Sequence, residues 1–169
     1  MTDKTNEEFS RLLEIFDKQE LNDIHGRRTA YKPLYEYFQR LIAEVGVRLC
    51  SLNRDIFNNY QLNGRWDVIK GCLILIEDAK IWDDLIHKMN KIRNGVEHKD
   101  NYDPELEMLK NIREKAPEFK TWVIRVGIEY FKTSINFTFI QSFYQLTNLY
   151  LSRDNLFRIW RFSSVFFKI

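Results

Sequence analysis

The chain has 169 residues, 44% of them apolar and 15% aromatic, with 26 basic against 24 acidic side chains for a formal net charge of +2. That length suits one domain with a substantial core, and the near balance of charge excludes a global field that would draw the protein to nucleic acid, so any RNA contact must rest on a local patch. Six glycines and three prolines leave few breakers, which points to an all-α fold.

Residues 6–20 put Phe9, Leu12, Leu13, Ile15 and Phe16 on one face of an amphipathic helix. Residues 21–30, with Gly26, Arg27 and Arg28, read as a loop. Pro33 then opens a long helix in the first-turn position that proline favours. Leu34, Phe38, Leu41, Ile42, Val45, Leu49, Leu52, Ile56 and Phe57 keep the helical period to about Tyr60, and Asn63-Gly64 breaks it. A third helix is expected from Arg65 or Trp66 through Val68, Ile69, Cys72, Leu73, Leu75 and Ile76. Leu73-Ile74-Leu75-Ile76 is apolar on every side and belongs deep in a core. Ile81, Trp82, Leu85, Ile86, Met89 and Ile92 continue the spacing, on the same helix or after a kink at Glu77-Asp78, and lead to Arg93.

Further on, Asp100-Asn101-Tyr102-Asp103-Pro104 reads as a turn, with Asp103 as N-cap, Pro104 as first helical residue and Glu105 as a favourable first-turn charge. Leu106, Leu109, Ile112 and Ala116 follow at helical spacing, and Pro117 marks a break or kink. Helical periodicity resumes over residues 118–131 and, after residues 133–136, over residues 137–151. Residues 152–169 hold Phe157, Trp160, Phe162, Phe166 and Phe167, too much apolar surface for a disordered tail, so this extension is expected to pack on the bundle or on a second subunit. The expected architecture is one domain over 1–169: an antiparallel helical bundle at about 31–151 with additional N- and C-terminal helices. The N-terminus has no apolar signal region. The apolar stretch 131–151 is interrupted by Lys132, Asn136, Gln141, Gln145 and Asn148, which makes it a poor membrane span. A cytoplasmic, soluble protein is expected.

The most informative stretch is Arg93-Asn94-Gly95-Val96-Glu97-His98. Asn-Gly terminates helices well, since either residue enters the left-handed conformation that closes a last turn. If the helix ran on, Arg93 and His98 would point ~140° apart. If it ends near Asn94, the chain doubles back and aims both at one ligand. An arginine and a histidine converging on one point suit a phosphodiester, the guanidinium holding charge and the imidazole moving a proton.

An arginine followed by asparagine, then a histidine after four intervening residues, on an all-helical chain, resembles the HEPN family. The resemblance implies a small helical bundle, usually homodimeric, and in many members a metal-independent endoribonuclease of toxin–antitoxin, phage-defence or RNA-processing systems. On that basis His98 serves as general acid/base, Arg93 clamps phosphate and Asn94 positions the substrate or His98. RNA is then cleaved to a 2′,3′-cyclic phosphate end with no cofactor. One imidazole does not easily serve both proton transfers, so two copies of the motif across a dimer are expected, with an antitoxin or other protein as a further partner. Some toxin members carry a tyrosine two residues after the histidine, where an antitoxin modifies it; this chain has Asp100 there and its tyrosine is Tyr102, which puts that regulation in doubt.

Other readings stand beside this one. His25 and His87 read as surface residues, and Cys50 and Cys72 as small buried hydrophobes rather than nucleophiles or a disulfide. Glu97, His98, Asp100 and Asp103 lack the spacing of a zinc or calcium site, so no metal is expected. Lys80, Lys88, Lys91, Arg93 and Lys99 read as a solvated face with paired charges, and an RNA patch would need Arg27 and Arg28 or a second protomer. In some members of the family it resembles, an acidic or polar residue of the preceding helix joins the site. Glu77, Asp78, Asp83 and Asp84 are the candidates here, but neither Asp78 nor Asp84 could meet Arg93 within one straight helix, and neither is assigned to the site. The alternative function is a non-catalytic HEPN-like module that binds RNA, a nucleotide or a protein. A third is a structural bundle whose aromatic C-terminus docks on a partner, which an Arg93 locked to Glu97 or Asp100 and facing away from any cleft would favour.

Overall fold

Apolar residues at helical spacing run almost the whole length of this chain, and helices result. In the computed structural model, which describes residues 3–50, 52–73 and 79–151, the described elements are α1 (Asp3–Asp17), α2 (Ile24–Arg48), α3 (Arg54–Asn58), α4 (Leu62–Leu73), a 3-10 turn (Ala79–Trp82), α5 (Asp83–His98) and α6 (Leu106–Leu151). The fold is all-α, and no strand occurs among the described residues. No helix among them is long and apolar enough to cross a membrane.

The chain forms two units, Met1–Tyr130 and Phe131–Ile169. The first holds the core. Phe9, Tyr37, Phe38, Trp66, Trp82, Phe119 and Trp122 are buried there and join α1, α2, α4, the 3-10 turn and α6 through a chain of ring contacts at 5.3–6.3 Å. Edge-on and tilted rings at these distances add specific attraction to the area they bury. The buried Tyr37 hydroxyl donates to the Ala116 carbonyl at 3.1 Å, which satisfies it. These seven aromatics are thus core, as their helical spacing implies. In the second unit the described side chains are those of α6 beyond Tyr130, and Phe131, Ile135, Phe139 and Ile140 are exposed on it. The aromatic extension 152–169 lies outside the described residues.

Several local expectations are corrected. Residues 24–30 are helix, not loop, because the Asp23 carboxylate caps α2 by accepting from the Gly26 N–H at 2.7 Å. Glycine is needed there, since a Cβ would lie 1.5 Å from the Glu20 carbonyl oxygen. Pro33 therefore sits inside α2, where it leaves the Thr29 carbonyl without its helical donor. The helix then ends at Arg48, and Phe57 belongs to the short α3. Asn63-Gly64 lies in the first turn of α4 instead of ending a helix. Neither Pro117 nor residues 133–136 interrupt α6. The kink expected at Glu77-Asp78 lies outside the described residues.

Candidate functional site

Helix α5 carries the Arg–Asn–His motif and is fastened at both ends by residues distant in sequence. At its N-terminus the Asp83 carboxylate accepts from Trp66 Nε1 at 2.7 Å and Lys70 Nζ at 3.0 Å. Burial pushes the Asp83 carboxyl up, but these hydrogen bonds and the Lys70 charge outweigh it and leave the group below its ordinary range. At the other end Arg28 of α2 donates to four backbone carbonyls, those of Val96 (3.0 Å), Lys99 (3.1 Å), Asp100 (2.8 Å) and Tyr102 (2.9 Å). The last carbonyls of a helix lack intrahelical donors and carry its negative pole, and one guanidinium answers both needs. Beside it Arg27 grips Asp103 with two hydrogen bonds, at 2.7 and 2.6 Å. Asp103 is therefore spent on Arg27 instead of capping α6, which starts at Leu106.

These ties correct the expected geometry of the motif. Asn94-Gly95 does not end the helix; α5 continues to His98, and the Lys99 N–H closes it on the Gly95 carbonyl at 3.0 Å. Gly95 is required for a different reason. The Tyr102 ring folds back on the helix so closely that a Cβ at residue 95 would lie 2.5 Å from it. With the helix continuous, Arg93 and His98 stand ~140° apart around its axis and do not aim at one point within a single chain. Asn94 and His98, one turn apart, share a side within ~40°, and both are exposed.

Arg93 enters a polar seat built from three segments. Its Nη1 donates to Gln61 Oε1 at 3.0 Å and Asn94 Oδ1 at 3.2 Å, and its Nη2 pairs with Glu97 Oε2 at 2.5 Å. The guanidinium carbon lies 6.0 Å from the centroid of the Tyr35 ring, within reach of a cation–π attraction. The Tyr31 hydroxyl donates to the other Glu97 oxygen at 3.4 Å. Burial first, and the Glu97 charge second, raise the Tyr31 phenol above its ordinary pKa, so it remains a donor at neutral pH. The seat opens to solvent, because the Arg93 side chain keeps 18% of its surface exposed and that of Glu97 37%. The His98 ring is exposed and makes no hydrogen bond or ion pair among the described residues.

The remaining sequence assignments sort themselves by their contacts. Arg27 and Arg28 are consumed by Asp103 and the α5 terminus, so they do not form the basic patch for which they were considered. Lys88 pairs with Asp84 at 2.7 Å, whereas Lys91 and Lys99 are exposed beside the motif. Asp83 is held by Trp66 and Lys70, and Glu77 and Asp78 lie outside the described residues. The acidic residue that meets Arg93 is Glu97 from its own helix. His87 donates from Nδ1 to the Asp83 carbonyl at 2.7 Å, and His25 is exposed. Both cysteines are free; burial, with Cys72 beside it, pushes the Cys50 thiol up to about 12, far from a thiolate nucleophile. No group of three metal-ligating side chains occurs among the described residues. Gln61, Tyr31 and Tyr35 were not foreseen. Only the tyrosines had a sequence signal, their one-turn spacing on α2.

Comparison with protein-family models, curated proteins and solved structures finds no match, so the HEPN likeness rests on the motif and the helical organisation alone.

Proposed function

We propose that this chain is a HEPN-like, metal-independent endoribonuclease whose catalytic centre is assembled from two copies. The observation that carries the reading is the arrangement at the end of α5: an exposed imidazole at His98, Asn94 on the same side one turn earlier, and the Arg93 guanidinium held in a solvent-open seat on another flank. One copy thus offers a proton carrier and an anion clamp that do not converge, and a second copy supplies the missing partner for each. In the reaction one His98 takes the 2′-hydroxyl proton as O2′ attacks phosphorus. The second gives a proton to the departing 5′-oxygen, and Arg93 holds the phosphoryl oxygens. The products are a 2′,3′-cyclic phosphate and a 5′-hydroxyl. A toxin–antitoxin or phage-defence setting, an antitoxin partner and a cytoplasmic site of action come from the resemblance.

The test is incubation of a labelled RNA pool with the protein in excess EDTA, beside an identically prepared His98→Ala protein. Cleavage by the unaltered protein alone, with cyclic-phosphate ends, is the expected result. Equal cleavage by both would remove His98 from the mechanism.

A second reading has its own observation. The Arg93–Glu97 pair and the use of Arg27 and Arg28 within the fold favour a non-catalytic module in which Arg93 links helices. The exposed Phe131, Ile135, Phe139 and Ile140 would then suit a protein partner. Absence of cleavage across varied RNAs, with Arg93→Ala and His98→Ala weakening RNA binding alike, or with no RNA binding at all, selects it.

A further inference from the structure

We infer that Glu97 is a built-in competitor for the phosphate seat on Arg93, so that RNA engages the site by displacing the Glu97 carboxylate. The inference rests on the ribonuclease reading and adds to it how access to the site is regulated and which further side chains receive the phosphate.

The seat already holds an anion. The Glu97 carboxylate is gripped by the Arg93 guanidinium at one oxygen and faces the Tyr31 hydroxyl at the other. A phosphodiester carries the same single negative charge on two free oxygens, so these two donors can receive it like for like. Gln61 accepts from Arg93 through Oε1, which leaves its amide N–H₂ as a further donor at the rim.

Glu97 is also poorly placed by every criterion except its contact with Arg93 and Tyr31. It lies in the last turn of α5, where the helix pole is negative and a carboxylate is disfavoured. The order Arg93 then Glu97 is the weaker of the two orders for an ion pair one turn apart. The pair is partly exposed, so solvent screens it and its loss is cheap. A side chain held against its local preferences by an exposed contact is one that a better anion displaces without disturbing the fold. Releasing it needs only a rotation of the Glu97 side chain, since the helix backbone is secured separately by Arg28.

The test is equilibrium binding of the full-length protein to a labelled 2′-O-methyl oligoribonucleotide of mixed sequence, whose blocked 2′-oxygens prevent cleavage. Glu97→Gln should tighten binding about fivefold, while the charge-matched control Glu107→Gln on α6 should change it less than twofold. Adding Arg93→Ala to Glu97→Gln should abolish the gain. If the unaltered protein binds and Glu97→Gln binds no better, Glu97 is not a competitor and the ribonuclease reading stands without it. An equal gain in Glu107→Gln, or a gain that survives loss of Arg93, makes the effect one of general charge and overturns the inference. If neither the unaltered protein nor Glu97→Gln binds, the RNA reading fails and takes the inference with it.

Discussion

Arg28 and Arg93 both serve the last turns of α5, and they are held in opposite ways. Among the described residues, Arg28 donates only to backbone carbonyls. The Val96 carbonyl cannot leave without unwinding the helix, nor those of Lys99, Asp100 and Tyr102 without remaking the loop that follows it, so Arg28 is a fixed part of the structure. Among those residues, Arg93 meets only side chains, those of Gln61, Asn94 and Glu97 with the Tyr35 ring beside it. Each of these can rotate away while the backbone stays in place. An arginine tied to backbone carbonyls cannot trade those partners for a ligand, whereas one held by exchangeable side chains is preorganised to do so.

The largest expected effect breaks the Arg28 side of that comparison. Arg28→Ala leaves carbonyls at the α5 terminus and the following loop without their donor and should cost ~2 kcal/mol. For a chain of this size that corresponds to a fall in Tm of about 4–8 °C, read by circular dichroism. Arg28→Lys should recover only part of it, because an ammonium lacks the planar fork that spans several carbonyls. Arg93→Ala should move Tm by less than half as much, since its partners lie where water can replace it. Equal losses would show that the two arginines do the same work and would remove the reason to treat Arg93 as exchangeable.

A smaller effect sharpens the account of Gly95. Gly95→Ala gains up to ~1 kcal/mol of helix propensity but drives a methyl into the Tyr102 ring, and the forced shift should outweigh that gain for a net loss of ~1 kcal/mol. In the Tyr102→Ala background the sign should reverse, because the obstruction is gone and only the propensity is left. A double-mutant cycle by urea unfolding measures the coupling. Persistent destabilisation without the tyrosine would mean that Gly95 has a backbone role instead.

What the sequence made legible follows from the range of the interactions. Phe9, Leu34, Phe38, Leu41, Ile69, Leu85, Ile86, Met89, Leu109 and Ile112 repeat at helical spacing and are all buried, because burial of a helix face is written locally. Breakers do not end a helix where a specific contact, local or distant, overrules them. Asn94-Gly95 stays helical under Tyr102 and Arg28, and residues 24–30 are helical from the Asp23 cap onward. The deciding partners are 68 residues apart for Arg28 and Val96 and 76 for Arg27 and Asp103, separations over which one sequence carries no pairing signal. The motif residues could be named from their spacing, but not the direction in which Arg93 turns. That depends on Gln61 and the α2 tyrosines, which nothing in the local pattern ties to Arg93.

The smallest effect concerns Arg27 and Asp103, an arginine intermediate between the two compared above: it grips a side chain, yet one whose only use here is to fasten the post-motif loop. The hydrogen bond from Arg27, together with its charge, holds the Asp103 carboxyl below its usual range. A carboxyl depressed in the folded state binds fewer protons than the unfolded chain does, so stability rises with pH across the window between the two values. The contribution is complete above the unfolded value near 4 and fades as pH falls through the lower folded one. Asp103→Asn should therefore lower Tm at pH 7, and the gap to the unaltered protein should shrink as the pH falls below 4. Arg27 stays charged throughout and adds no pH dependence of its own. Glu97→Asn would be uninformative on this point, since it also alters the Arg93 seat; Asp103 isolates the loop. A gap that stayed constant to pH 2 would mean that Asp103 acts through its shape and not its charge, and Arg27 would then join Arg28 as a purely structural arginine.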